Sequence, residues 1–237
     1  MKTMCPSQPL SECSATDRLP VLLETDGYRI LDKPAGLSVL KDNTGRVSLD
    51  TVYQSLFNER PYIVHRLDKG TSGILIVART PQVRTLFNRL FAQGEIAKTY
   101  LALVEGEASP PEGTIDQPLA EGRKGRFKIA SPGTGLPSRT DYRTIHSTPG
   151  QSLLECRPLT GRTHQIRVHL AWLGCPLVRD PLYGRRRGRP SLEPDLTLHS
   201  WKVMFKDPIS GEERNIESPL PEWALEMMLQ ATGSGRE

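Results

Sequence analysis

Apolar side chains recur along the chain in two ways, and each way predicts a different kind of element. From residue 49 to 57 they fall at intervals of three and four, which places them on one face of a helix, and Ser48 precedes them as a natural N-cap. Thr80-Pro81 opens a second helix, whose apolar side runs from Val83 to Phe91 and which ends at Gly94. Two further helices are predicted, one from about Thr163 to Leu173 and one that begins at Pro221.

Short apolar or alternating runs between turn residues predict strands. Ile74 to Ala78 is the longest apolar run and predicts a buried strand. Strands outnumber helices, and several follow one another through turns. We therefore predict an α+β fold with a central, mostly antiparallel mixed sheet flanked by helices, rather than a doubly wound α/β fold. The other predicted strands are Tyr28–Leu31, Thr99–Val104, Arg139–Ile145, Leu153–Leu159, Leu198–Phe205 and Arg214–Ile216, and the last two form a hairpin around residues 207–211.

The two ends of the chain differ from its middle. Residues 1–18 are polar, rich in Ser, Thr and Pro, and without periodicity, so a mobile tail is predicted there. Residues 230–237 are predicted to fray, which leaves 19–229 as one domain. No apolar run is long enough for a secretory signal or a membrane span, so we expect a cytoplasmic protein that does not bind membranes.

Composition and charge narrow the choice of partners. The net charge of +4 is mildly basic and permits nucleic-acid binding without requiring it. The four cysteines are far apart and form no CxxC pair, so free thiols are expected rather than zinc ligands or disulfides. The positive charge is concentrated in two clusters, Arg123, Lys124, Arg126 and Lys128 in one and Arg185, Arg186, Arg187 and Arg189 in the other. Such a cluster is commonly a solvated loop, but it can also contact a polyanion.

The segment from His65 to Gly73 places a carboxylate, Asp68, immediately before a predicted buried strand. The Gly-Thr-Ser-Gly turn that follows carries no bulky side chain to block a ligand. Arg66 and Lys69 lie beside Asp68 and favour an ionised carboxylate that can act as a nucleophile. An aspartate that only caps the backbone of the turn is the alternative that the spacing leaves open.

Two further segments carry reactive groups. Tyr100 lies on a predicted strand, where a tyrosine commonly packs in a core, although its ring can stack on a base and its hydroxyl can exchange a proton. Arg162 and Arg167 bracket a predicted helix N-terminus, where the helix dipole does not favour a cation, so they are expected to meet a carboxylate or a phosphate. His164 and His169 are five residues apart and do not share a helical face, so no metal site is predicted.

In this order the segments resemble a known family. His65-Arg-Leu-Asp68 with Thr71-Ser-Gly73, then Lys98-x-Tyr100, then Thr160-Gly-Arg-Thr-His-Gln-Ile-Arg167 closely resemble the signature motifs of RluA-type RNA pseudouridine synthases. Asp32-Lys-Pro-Ala-Gly36, Asp180-Pro-Leu-Tyr-Gly184 and Leu198-His-Ser200 resemble further motifs of that family, so the resemblance spans about residues 26 to 210.

The resemblance implies a role for each matching residue. Asp68 matches the catalytic aspartate, and Arg66 the arginine that displaces the target base and holds the opened RNA. Tyr100 matches the tyrosine that packs on the uracil and is the usual candidate for a proton acceptor. Arg167 matches the basic partner of the aspartate, although Arg162 in the same motif is an alternative. The family fold, a mixed architecture around an antiparallel sheet with a deep cleft, agrees with the elements predicted independently.

The resemblance also implies an RNA substrate, ribosomal or transfer, and a reaction that needs neither cofactor nor metal. About 25 residues precede the region that resembles the family, too few for the N-terminal S4 domain of many relatives. RNA affinity is therefore expected from Arg66, Arg162 and the two basic clusters, chiefly Lys124, Arg126, Arg185, Arg186 and Arg187. A monomer is the simplest expectation. Two other readings are a catalytically silent RNA-binding protein on the same scaffold and a glycoside hydrolase, which would need a second carboxylate.

Overall fold

A computed structural model describes residues 19–41, 47–131, 133–185 and 196–233 of the chain. Within these ranges the protein forms twelve strands, four α-helices and a short 3-10 turn at Arg123–Gly125. The helices are α1 (Leu49–Phe57), α2 (Pro81–Gln93), α3 (Gln165–Trp172) and α4 (Glu222–Gly233). The strands are β1 (Val21–Glu24), β2 (Tyr28–Lys33), β3 (Tyr62–Ile63), β4 (Ser72–Ala78), β5 (Ala97–Glu105), β6 (Glu112–Asp116), β7 (Leu119–Glu121), β8 (Phe127–Ile129), β9 (Arg139–Thr148), β10 (Gln151–Pro158), β11 (Leu198–Lys206) and β12 (Glu213–Glu217).

One large sheet runs through the described residues in the order β1-β2-β4-β11-β5-β10-β9-β6, with β12 on β11 and β3 on β4. Every ladder in it is antiparallel except the β11–β4 pair, where His199 lies opposite Ser72 and Ser200 opposite Gly73. The prediction of a mostly antiparallel mixed sheet flanked by helices is confirmed. A separate two-stranded sheet is formed by β7 and β8.

Helices cover both faces of the sheet because the side chains of each strand alternate between them. Leu75 and Val77 of β4 share a core with α1 and α3, whereas Ile74 and Ile76 pack with Phe87 of α2. On β5 the side chains alternate in the same way. Those of Tyr100, Ala102 and Val104 lie on the face that carries α1 and α3, and those of Leu101 and Leu103 pack against α4. The chain thus forms three layers, with the sheet in the middle.

Local sequence signals account for the helix ends. The Thr80 hydroxyl accepts a hydrogen bond from the Val83 N–H at 3.3 Å, and Gly94 closes α2 in a left-handed conformation, as predicted. Ser48 lies at the N-cap position of α1, but its hydroxyl bonds to the Asp50 side chain instead of to the backbone. Helix α4 has no glycine or proline before Gly233, so it continues past residue 229, where we placed the domain boundary.

The sequence patterns missed five short strands, and each lies at an edge of a sheet. β1, β3 and β6 add to the large sheet, while β7 and β8 pair only with each other. Such short strands span too few residues to produce a periodic signal. The predicted tail at residues 1–18 and the arginines at 186, 187 and 189 lie outside the described residues.

Candidate active site

A cleft of about 850 Å³ opens between the loop before β4, the start of β5 and the loop before α3. This volume is within the range of ligand pockets. The predicted catalytic side chains of Asp68, Tyr100 and Arg167 all line it, together with Arg66 and Arg162. Asp68 and Arg167, which lie 99 positions apart in the chain, are therefore brought to one cavity.

The Asp68 carboxylate lies at the inner part of this cleft with 17% of its side chain exposed. Its backbone carbonyl closes the turn by accepting a hydrogen bond from the Thr71 N–H at 3.0 Å, which leaves the side chain directed at Arg167. Position 73, at the start of β4, requires a glycine because its φ is +101° and a Cβ there would lie 2.2 Å from the Ser200 carbonyl oxygen. The close approach of β4 to β11 thus fixes where Asp68 stands.

Arg167 is almost fully buried and binds two carboxylates at once. Its Nη1 donates to Asp68 Oδ2 at 2.8 Å, and its Nε and Nη2 donate to Asp180 at 2.8 and 2.9 Å. The Tyr183 ring lies 5.1 Å from the guanidinium carbon. Burial alone would lower the pKa of Arg167, but the hydrogen bonds and charges of both aspartates raise it, so it stays a cation. Of the two arginines that the sequence left open, Arg167 is the one that contacts Asp68, whereas Arg162 Nε donates to the Pro137 carbonyl at 3.2 Å.

Asp180 is the buried anchor of this arrangement. Its side chain is 0% exposed, and Oδ1 also accepts hydrogen bonds from the backbone N–H groups of Leu182 and Tyr183 at 2.9 and 3.1 Å. Although burial opposes it, these bonds and Arg167 hold the pKa of Asp180 below its usual value. Sequence reasoning matched the Asp180–Gly184 motif to the family without giving it a task. The structure shows that it aims Arg167 at Asp68.

His164 approaches Asp68 from the other side. It adopts a left-handed conformation, with φ of 58°, at the N-cap of α3, and its Nε2 lies 3.8 Å from Asp68 Oδ2. Its Nδ1 lies 2.9 Å from the Tyr183 hydroxyl, whose oxygen accepts a hydrogen bond from the Phe127 N–H. If the tyrosine donates to Nδ1, the imidazole carries its proton on Nε2, facing Asp68. Burial lowers the pKa of His164 despite the two aspartates nearby, so the ring is neutral near pH 7.

Tyr100 is a buried phenol, only 9% exposed, at the wall of the cleft. Burial raises its pKa to about 12, the charge of Asp68 acts in the same direction, and a hydrogen bond with Ser200 acts against it. The hydroxyl is therefore protonated at neutral pH and available as a hydrogen-bond donor. Its ring presents a face of the kind that stacks on a base.

Residues of the remaining signature motifs form hydrogen bonds within and next to the turn that carries Asp68. The Nζ of Lys33, whose side chain is fully buried, donates to the Leu37 and Lys69 carbonyls at 2.9 and 3.3 Å. His65 Nε2 accepts a hydrogen bond from the Ile76 N–H at 3.0 Å, and burial lowers the pKa of His65 to about 3, which keeps it a neutral acceptor. His199 Nδ1 lies 2.8 Å from the Ser72 hydroxyl.

The predicted RNA-contacting residues are distributed differently. Arg66 is exposed at the rim of the cleft, and Arg126 is exposed on the β7–β8 hairpin, where Phe127 packs edge-on against His164. Arg185 contacts Glu105 at 3.6 Å, so its charge is partly engaged. Arg186, Arg187 and the side chain of Lys124 lie outside the described residues.

Within the described ranges, no group of three or more His, Cys, Asp or Glu side chains is arranged to hold a metal ion. Nor does any described helix have the length and apolar character to span a bilayer.

Known proteins resemble this chain in sequence and in fold. A family model described as RNA pseudouridylate synthase matches residues 27–172. Ribosomal large subunit pseudouridine synthase D of Nitrosomonas europaea is 39% identical over 90% of the chain, which spans 65% of that relative. An uncharacterized RNA pseudouridine synthase of Zymomonas mobilis is 40% identical over 81% of the chain and 89% of its own length.

Solved structures agree on the fold. Human RNA pseudouridylate synthase domain containing 1 matches with a TM-score of 0.74 at 25% identity, covering 89% of this chain and 86% of that one. The human domain containing 4 protein gives a TM-score of 0.72 at 24% identity over 90% and 92% of the two chains. The family model covers well over half of the sequence and includes Asp68, Tyr100 and Arg167. The chain belongs to the RNA pseudouridylate synthase family.

Proposed function

We propose that this protein isomerises uridine in RNA to pseudouridine, with Asp68 as the catalytic carboxylate. The observation that carries the proposal is the position of Asp68. It is ion-paired to Arg167 at 2.8 Å and still 17% exposed, in a cleft that Tyr100 also lines. A carboxylate held in this way keeps one side open to a ligand and cannot turn away from it.

The reaction needs little besides an oriented carboxylate. The N1–C1′ bond breaks, the uracil turns, a C5–C1′ bond forms, and the hydrogen on C5 leaves as a proton. Asp68 can attack C1′ or C6 as a nucleophile, or it can assist uracil departure so that a glycal forms. In each route Arg167 keeps the carboxylate aimed, and Asp180 keeps Arg167 in place.

Tyr100 acts first as a surface for the base. Since its pKa is raised to about 12, it enters the reaction as a neutral phenol that packs on uracil and donates a hydrogen bond. To accept the C5 proton, it must first give up its own, so a water or Asp68 would receive that proton.

The target uridine has to leave its stack before it reaches Asp68. Extruding a base costs on the order of a few kcal/mol. Arg66, exposed at the rim of the cleft, is suited to fill the vacated position, and Arg162 and Arg126 are suited to hold phosphates.

Ribosomal RNA is the substrate class that we favour, because the relatives named synthase D act, by name, on the large ribosomal subunit. Transfer RNA is the second candidate. Pseudouridine should be mapped by a selective chemical label across all stable RNAs of the source organism, with and without the gene. We expect at least one site to vanish in the deletion strain and to return with the wild-type gene but not with an Asp68→Asn allele. An unchanged map would contradict the proposal.

The alternative is an RNA-binding protein without activity on the same scaffold. The presence of Asp68, Tyr100 and Arg167 in one cleft argues against it. The same map, combined with an RNA pull-down, separates the two, because a silent binder would leave the map unchanged while still retaining RNA.

A further inference from the structure

Lys98 is a cleft residue that the reaction described above does not use. It lies in β5 two residues before Tyr100, so both side chains project from the same face of the strand, about 6.6 Å apart along it. Its ammonium lines the cleft, 5.7 Å from the centre of the Phe91 ring. A Cβ placed on Gly161 would lie 3.8 Å from Nζ, so this glycine leaves the space beside the ammonium open.

Within the described residues, no hydrogen-bond acceptor or carboxylate is paired with the Lys98 ammonium. The two carboxylates that line the cleft have other partners. Asp68 is bound by Arg167, and Glu155 is bound by Arg143 at 3.0 Å and by Arg157 at 2.6 Å. Lys202, the other lysine of the cleft wall, is paired with Glu217 at 3.0 Å. Among the cleft lysines, Lys98 thus differs from Lys202 in having no such partner, and unlike the exposed Arg66 it is half-buried.

An ammonium removed from water without an acceptor costs free energy, and burial accordingly lowers the pKa of Lys98. The His65 ring nearby is neutral and offers no compensating charge. An anion that enters the cleft would recover this cost. The chemistry of the site therefore favours a negatively charged part of the ligand at this position over an uncharged one.

We propose that Lys98 binds the phosphodiester group that adjoins the target uridine. This inference rests on the proposed function, since it takes RNA as the ligand. A base packed on Tyr100 would lie about 6.6 Å along β5 from Lys98, a separation comparable to the span from a nucleobase to its phosphate. Lys98 would then hold the strand while the base is turned.

The test uses a synthetic oligoribonucleotide that contains the mapped uridine, in forms where one flanking phosphodiester at a time is replaced by an uncharged methylphosphonate. Wild-type protein, Lys98→Met and Lys98→Arg are compared, and Lys206→Met serves as the control. Lys206 is an exposed lysine of β11 that does not line the cleft. Affinity is measured at salt concentrations from about 50 to 200 mM, a range over which binding that depends on phosphate contacts weakens strongly. Pseudouridine formation is followed in single turnover.

We expect Lys98→Met to weaken binding about tenfold and to reduce the slope of log affinity against log salt by about one. Lys98→Arg should retain most of the affinity, and Lys206→Met should behave as wild type. One of the two methylphosphonates should weaken wild-type binding to the same extent and should abolish any further effect of Lys98→Met.

Three results would overturn the inference. The first is a salt slope for Lys98→Met equal to that of wild type. The second is that the losses of affinity caused by each methylphosphonate and by Lys98→Met multiply when the two changes are combined, as expected for groups that do not contact each other. The third is a loss of turnover with binding unchanged, which would place Lys98 on the base. Each presupposes an active wild-type enzyme, whereas a wild-type protein that makes no pseudouridine would refute the proposed function itself.

Discussion

Two arginines in this protein, Arg29 and Arg167, occupy similar surroundings in different regions. Each side chain is about 5% exposed and lies between two carboxylates. Arg29 contacts Glu24 at 2.6 Å and Glu59 at 2.8 Å, with its guanidinium carbon 4.2 Å from the centre of the Phe57 ring. Arg167 likewise lies between two carboxylates beside an aromatic ring, although Arg29 also donates a hydrogen bond to the Tyr53 hydroxyl at 2.6 Å.

The two regions differ in whether their carboxylates are accessible from the cleft. Around Arg29 the carboxylates face the outer surface, with Glu24 50% and Glu59 32% exposed, and neither lines the cleft. Around Arg167 one carboxylate, Asp180, is sealed, and the other, Asp68, opens into the cleft. A buried ion pair therefore does not by itself indicate a functional site. An arginine that binds one fully buried carboxylate and one carboxylate that a ligand can reach does indicate one.

Replacing each arginine by methionine tests this difference most strongly. Arg167→Met leaves Asp180 buried without its counter-charge, so we expect a stability loss of about 3–5 kcal/mol and a fall in turnover on the order of 10²- to 10³-fold. Arg29→Met exposes glutamates that water can reach, so the expected stability loss is smaller, about 1–3 kcal/mol, with turnover per folded molecule unchanged. Urea unfolding and single-turnover assays below the transition measure both.

An Arg29→Met enzyme as slow as Arg167→Met would contradict the comparison. It would mean that the Arg29 region reaches the reaction through the fold and is not only a stabilising element.

Asp180→Asn probes the anchor alone. The amide oxygen can still accept the backbone hydrogen bonds of Leu182 and Tyr183, but the charge that holds Arg167 is lost. We expect kcat to fall about tenfold to a hundredfold with KM little changed, because Arg167 can shift relative to Asp68. Glu59→Gln is the matched change in the Arg29 region and should leave kcat unaltered. Equal kcat values for the two variants would show that Asp180 only stabilises the fold.

Acid should begin to destabilise the two regions at different pH values. The pKa of His65, in the cleft, is lowered from 6.5 to about 3, so the unfolded chain binds a proton that the folded one does not, and stability falls as the pH drops below 6.5. Hydrogen bonds from Arg29 and Arg79 lower the pKa of Glu59 from 4.5 to about 2, so its contribution is lost only below 4.5.

The free energy of unfolding should therefore decline between pH 6.5 and 5.5, by up to about 1.4 kcal/mol per pH unit for each histidine of this kind. His65→Gln should reduce that slope, and Glu59→Gln should not. Urea denaturation at several pH values checks both variants, and an equal slope in wild type and His65→Gln would contradict the assignment.

Sequence reasoning predicted the elements whose signals are local. The α2 helix with its Thr80 cap and Gly94 end, the β11–β12 hairpin and the buried strand β4 were all predicted from residues that are close together in the sequence. Asp68, Tyr100 and Arg167 were predicted from motifs, and the structure places them together. What the motifs could not provide were the contacts between distant segments.

The Asp180–Arg167 pair illustrates that limit. Arg167 was expected to meet a carboxylate or a phosphate, but which carboxylate depends on the path of the chain after α3, which no periodicity encodes. His164 was considered only as a metal ligand, and its proximity to Asp68 depends on a left-handed backbone that is uncommon for residues other than glycine. The short strands β7 and β8 depend on packing against α3, so their sequence alone gave no signal.

The most direct measurement is the release of tritium from RNA that carries uridine tritiated at C5, because forming the C5–C1′ bond expels that hydrogen. Purified wild-type protein should release tritium in proportion to the pseudouridine formed. Asp68→Asn, folded and still bound to the RNA, should release none above buffer. A release rate from Asp68→Asn above about 1% of wild type would contradict a catalytic role for this carboxylate.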